Sequence, residues 1–277
     1  MFSARGFIRG TGTCIERTMD SQEDLAAWLE MRVRRYEEPA FIDTDPISIP
    51  TAFSEADDRA IAGLFAALLA WGQRVTMLRK LEDLMERMHY HPARYVYDFD
   101  EMYDGAALDG FVHRTFHADD ARWLCKLLRD AWRSQGSIEG LFARHLTPSS
   151  DNIGGAIEGF SRHLLDEVHP SVPTRLAKHL ARPSRGSAAK RLCMFLRWMV
   201  RSGPVDFGLW TNISPAQLVL PVDTHSARVA RSLGLLSRKQ NDWKAAEELT
   251  LHCKQLDPSD PARFDFALYG AGVNGER

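Results

Sequence analysis

The sequence predicts an all-α protein. Helical periodicity runs through nearly the whole chain, and alternating strand patterns are scarce. The composition, 44% hydrophobic with seven tryptophans in 277 residues, is ample for a packed core. A net charge of −2 excludes a disordered, highly charged chain and any wholesale coating of nucleic acid.

The elements follow in order. Residues 1–20 carry arginines without a continuous apolar run, which predicts a disordered leader and no secretory signal. Residues 21–277 are expected to form one two-lobed domain with a groove between the lobes. SQEDLAAWLEMRVRRYEE predicts a first helix capped by Ser21, with Asp24 three residues on. Residues 39–58 hold three prolines and read as an extended loop. DRAIAGLFAALLAWG then predicts an almost wholly apolar core helix, too short to span a bilayer. RVTMLRKLEDLMERMHYH continues the helical pattern up to Pro92. Further helices are expected over ADDARWLCKLLRDAWRS, SIEGLFARHL, IGGAIEGFSRHLLDEV, NDWKAAEELTLHCKQLD and SDPARFDFALYGAG.

The four cysteines lie far apart, so no metal-finger spacing exists, and each reads as a reduced thiol in a cytoplasmic protein. The histidines offer no tight ligand set, so no metal is expected.

Charge gathers in one place. Between Val168 and Val205 there is no Asp or Glu, but there are Arg175, Lys178, Arg182, Arg185, Lys190, Arg191, Arg197 and Arg201. One reading is a solvated surface whose counter-charges sit elsewhere, for instance between Asp20 and Asp58. The other is a surface for nucleic acid. Within this stretch Leu192, Phe195, Leu196, Met199 and Val200 form an apolar stripe at helical spacing. Lys190, Arg197 and Arg201 recur on the opposite side and predict an exposed positive ridge. PSRGSA just before them is a turn at a helix N-terminus, a natural seat for a phosphate. Helix, glycine turn and helix over about 171–203 make a hairpin able to grip a DNA backbone.

Downstream, LPVDTHSARVARSLGL places Asp223 at the head of a helix expected over about 223–236. Asp is a preferred N-cap and Gly234 a fitting stop. Asp223 is therefore a cap, an active-site carboxylate, or both, since capping fixes the direction of the carboxylate.

GSAAKR, the amphipathic helix and VDTH together resemble the helix-hairpin-helix DNA glycosylase superfamily. Within it the pattern looks closest to a bacterial branch known only as a domain of unknown function. The resemblance implies N-glycosylase activity on a damaged or mismatched base in double-stranded, lesion-containing DNA. It makes Asp223 the essential carboxylate and Lys190 the nucleophile of members that also cleave the backbone. Gly186, Ser187, Arg185, Arg191 and Arg197 are then expected to hold phosphates. Gln73, after the Leu-Leu run of LLAWGQ, would enter the duplex, with Arg74 and His225 also touching DNA. Trp71, Trp198 and Trp210 are candidates for the base pocket, although core packing is the commoner use of a tryptophan. The chain departs from the usual pattern in having one hairpin glycine and 33 residues between Lys190 and Asp223. It also lacks the four-cysteine cluster of the endonuclease III type, so no iron–sulfur cluster is expected. Two rivals stand beside this reading: a nucleic-acid-binding protein of the same fold without chemistry, and a helical adaptor for an acidic protein partner.

Overall fold

The computed structural model describes residues 22–276. The expected leader, Cys14 and the Ser21 cap lie outside them. The described residues form helices joined by turns, with one two-stranded hairpin among them.

Helix α1 (Gln22–Tyr36) carries Glu23 and Asp24 in its first turn and Arg34 and Arg35 in its last, both favourable to the helix dipole. The proline-rich segment after it is less extended than expected. It forms a 3-10 turn over Pro39–Thr44 and a single helical turn over Ser48–Thr51, with Pro39 at a first-turn position where its missing N–H costs nothing. Helix α2 (Ala56–Leu68) is the core helix, buried at every residue from Ala60 to Leu68.

Helix α3 (Arg74–Arg87) ends short of the predicted His91, because His89 and Tyr90 both take a left-handed φ of 55°. A short helix α4 (Pro92–Tyr97) then restarts the chain. Strands β1 (Val112–His113) and β2 (Phe116–His117) pair antiparallel around Arg114, which also has a φ of 55°. Two residues per strand are too few to show as alternation in the sequence.

Helix α5 (Ala118–Gln135) stops at Gly136 in the left-handed region. Helix α6 (Ile138–Ala143) is capped by Ser137 Oγ, which accepts from the Gly140 N–H at 2.9 Å. Helix α7 (Gly154–Arg162) widens into a π-turn over His163–Glu167.

The first arm of the predicted hairpin is not an α-helix. Residues Thr174–Lys178 and Pro183–Arg185 form separate 3-10 turns. Pro173 and Pro183 leave too few residues between them, and each disfavours helix at the residue before it. The second arm, α8 (Lys190–Val200), is as predicted, and its apolar stripe is buried.

Helix α9 (Thr224–Ser232) follows Asp223 and stops before Gly234, four residues sooner than predicted. Helix α10 (Trp243–Leu256) is capped by Asp242, and α11 (Phe264–Val273) closes the fold. Helix α11 lies between α1 and α9, and α8 packs on α2. Gly63 makes the α2–α8 contact close, since a β-carbon there would stand 3.0 Å from Met199 Cε. No helix among the described residues is long and apolar enough to cross a membrane.

The predicted positive ridge is absent. Arg197 and Arg201 are only 3% and 4% exposed, because α8 is buried on nearly all sides. Their counter-charges come from distant parts of the chain. Arg197 pairs with Asp265 on α11 and lies 3.3 Å from Asp206. Arg201 binds Glu37 at 2.8 Å, Asp206 at 2.6 Å and Asp260 at 2.8 Å. Of the acids between Asp20 and Asp58, Glu37 supplies one partner. Arg175 and Arg182 are also paired, with Asp120 and Asp166. Lys178 and Arg185 are exposed, and neither has an ion pair among the described residues. Much of the basic stretch thus ties the fold together, while Arg175, Lys178 and Arg185 remain exposed.

Candidate functional site

Asp223 stands at the N-cap of α9 with extended backbone angles. Its two carboxylate oxygens do different things. Oδ1 accepts the N–H groups of His225 and Ser226 at 2.7 and 2.8 Å, and the Asp223 N–H donates to Ser226 Oγ at 2.9 Å. Oδ2 points away from the helix and accepts from Lys190 Nζ at 3.0 Å. Lys190 opens α8, so the two residues meet where two helix N-termini converge.

Burial pushes the Asp223 carboxyl up, but the Lys190 ammonium and the two cap N–H groups outweigh it. Its pKa falls below the ordinary carboxylate value. Asp223 is therefore ionised at neutral pH, with one lone-pair face aimed at an amine.

The pair lies on the wall of a cleft of about 680 Å³. The wall includes Phe41 and Asp45 from the segment before α2, Trp71 and Arg74 at the α2–α3 junction, and Ser187 and Arg191 from the hairpin. His225 and Tyr269 complete the far side. Arg74 ties these elements together, donating to Tyr269 Oη at 2.8 Å and to Thr44 Oγ1 at 3.3 Å. Asp265 also reaches the cleft. Burial pushes its carboxyl up to about 6 against the pull of Arg197.

The residues singled out from sequence divide into three groups. Lys190, Asp223, Ser187, Arg191, Arg74, His225 and Trp71 all line the cleft. The Arg191 guanidinium is already committed, to the carbonyls of Leu68 and Lys178. Gly186, Arg185 and Gln73 are exposed at its surroundings: Gly186 has a φ of +78°, and Gln73 precedes α3 without capping it. The third group is taken up by the core and by ion pairs, and of its members only Arg197 touches the cleft wall. Arg197 is sealed in its ion pairs and is not available to a phosphate. Trp198 is fully buried in the core. Trp210 is packed against Phe142 and Phe195, with ring centroids 5.8 and 5.3 Å away, and does not line this cleft. Of the three tryptophans only Trp71 does.

The hairpin turn has a second left-handed residue, Ala189, with a φ of 48° at the N-cap of α8. The single glycine is thus joined by an alanine in a conformation that favours glycine. The N–H groups of Ser187 and Ala188 have no partner among the described residues.

Sequence reading missed Phe41, Asp45, Asp265 and Tyr269. A signal existed for Asp265, an acid in the otherwise apolar run FDFALYGAG. For Phe41 and Asp45 nothing distinguished them from a proline-rich connection.

The fold and the cleft define an all-α protein with a lysine–aspartate pair presented by two helix starts. The family described as "Protein of unknown function (DUF2400)" matches residues 45–274, most of the chain, and the protein belongs to that family. No curated protein and no solved structure matches it.

Proposed function

We propose that this protein is a DNA-repair-type N-glycosylase acting on a damaged or mismatched base. The observation that carries the reading is the 3.0 Å contact between Lys190 Nζ and Asp223 Oδ2 on the wall of a cleft large enough for a nucleobase. The resemblance of GSAAKR and VDTH to helix-hairpin-helix glycosylases assigns these two residues the same roles.

The chemistry follows from the division of the carboxylate. Cleavage of an N-glycosidic bond develops positive charge on the sugar, and the ionised Asp223 stabilises it. Lys190 gives a proton to Asp223 Oδ2, and its nitrogen lone pair bonds to the anomeric carbon. The bond to the base breaks, and the base leaves with the electron pair and takes up a proton. The ring oxygen then leaves the anomeric carbon with its electron pair and takes up the second proton that the lysine nitrogen gives up, and the nitrogen lone pair closes the C=N bond of the Schiff base. The unpartnered N–H groups of Ser187 and Ala188 and the exposed Arg185 suit a backbone phosphate. Gln73 stands free to fill the gap left by the displaced base.

Borohydride trapping on a panel of lesion-containing duplexes tests this. The intact protein is expected to form a covalent adduct with at least one lesion, and Lys190→Ala to form none. Base release without an adduct would reduce Lys190 to a positioning role and leave Asp223 with an activated water. Failure to release any base, with tight and salt-dependent duplex binding retained, would leave a binding protein of the same fold.

A further inference from the structure

The acids of the cleft are not equivalent. Asp223 is matched by Lys190, and Asp265 by Arg197. Asp45 makes no salt bridge among the described residues, although it is only 8% exposed. Its Oδ1 accepts the Ile47 N–H at 3.1 Å, which fixes the direction of the carboxylate. Its Oδ2 has no hydrogen-bond partner among the described residues. Asp45 lines the same cleft as Phe41, Trp71 and Tyr269, which supply aromatic surface on which a planar ring can lie.

A carboxylate oxygen that meets the cleft without a protein donor can take a ligand N–H in place of solvent. A carboxylate only accepts, so it attracts an amino group and repels a carbonyl oxygen at the same place. We infer that Asp45 reads the displaced base, accepting an N–H from its exocyclic amino group through Oδ2, and so selects amino-bearing bases over their carbonyl isosteres. The inference rests on the glycosylase reading of Lys190 and Asp223. Burial raises the Asp45 carboxyl, against the pull of Arg197, Arg74 and Lys190, so the acceptor is best tested above neutral pH.

The test uses the full chain and duplexes with one mispaired 2′-fluoro nucleotide, whose glycosidic bond resists cleavage. The base is adenine or hypoxanthine in one pair of duplexes and cytosine or uracil in the other. Each pair exchanges an amino group for a carbonyl with almost no change of shape, the adjacent ring nitrogen gaining an N–H. Dissociation constants are read by fluorescence anisotropy at pH 8. The amino member of at least one pair is expected to bind about tenfold more tightly, the worth of one hydrogen bond to a charged acceptor. Asp45→Asn keeps the bond to Ile47 but puts an NH₂ in place of Oδ2, and is expected to abolish or reverse the preference. Asp45→Ser, which also keeps an acceptor for Ile47, makes the same comparison if the asparagine variant does not fold. Asp223→Asn is expected to keep the preference.

Equal binding within both pairs, or an unchanged preference in the Asp45 variants, would overturn the role of Asp45. If lesion duplexes still yield a trapped adduct, that result leaves the glycosylase reading standing. Duplexes bound no better than a matched duplex, together with no trapping on any lesion, would overturn both.

Discussion

Gly272 of α11 lies flat against His225 of α9. A β-carbon on Gly272 would stand 2.8 Å from both the carbonyl carbon and the oxygen of His225. These are backbone atoms and cannot turn aside as a side-chain tip can. His225 also donates its N–H to Asp223 Oδ1. This close approach of two helices thus falls on a residue that donates to the cap carboxylate, two positions after Asp223.

Gly272→Ala is therefore expected to displace the first turn of α9. Alanine favours a helix interior by up to about 1 kcal/mol over glycine, but overpacking costs about 1–3 kcal/mol, and here the clash wins. Urea unfolding should show a net loss of stability. Adduct formation should fall by more than the loss of folded protein explains, because Lys190 and Asp223 would no longer meet at 3.0 Å. Full activity in a folded Gly272→Ala protein would show that the cap does not set the pair.

Asp223→Asn separates the two duties of the carboxylate. Asparagine caps about as well as aspartate, so the helix should remain. The charge facing Lys190 is lost. Stability is expected to change by about 1 kcal/mol, since Lys190 keeps about a third of its side chain in solvent and screening discounts the pair. Base release should fall by at least about a hundredfold, the scale of a missing proton acceptor. Circular dichroism and single-turnover release measure the two effects.

The depressed pKa of Asp223 gives a pH dependence of known sign. The folded state favours the ionised form, so the stabilisation is fully present above the ordinary value of 3.8. It is lost as pH falls below 3.8 through the lower folded value. The stability difference between the parent and Asp223→Asn should be flat near neutrality and shrink only in that acid window. A difference that shrinks between pH 6 and 8 would point to another group.

The arginine hub predicts a large stability effect. Arg201→Ala would leave Glu37, Asp206 and Asp260 around a buried gap without their shared cation. Breaking a buried pair in this way costs about 3–5 kcal/mol. The unfolding midpoint should fall steeply, whereas Arg185→Ala, at an exposed position, should leave it in place. If duplex binding follows Arg185 and not Arg201, charge at the surface of the hairpin is what holds DNA.

Much of this was legible in the sequence, and the remainder depended on tertiary contacts. The apolar run from Ala60 to Leu68 and the stripe on α8 need only periodicity and composition, and both are buried as expected. Asp223 announced itself as a cap by residue type and by the proline before it. The arginines were misread because their partners, Glu37, Asp206, Asp260 and Asp265, lie outside the basic stretch. A local count of charge cannot see a carboxylate that arrives from another helix. The first hairpin arm failed for a local reason, two prolines too close together. Asp45 and Phe41 acquire meaning only when the segment before α2 folds beside α11.

Ala189 carries one more consequence. Its left-handed backbone costs about 1 kcal/mol that a glycine would not incur. A glycine there would instead enlarge the unfolded ensemble, at a cost of about 0.4–1 kcal/mol in entropy. The two nearly cancel, so stability hardly distinguishes the residues. What differs is the breadth of motion just ahead of Lys190. With alanine, the strand of chain that delivers the amine has fewer places to go, and the lysine starts from a narrower range of directions.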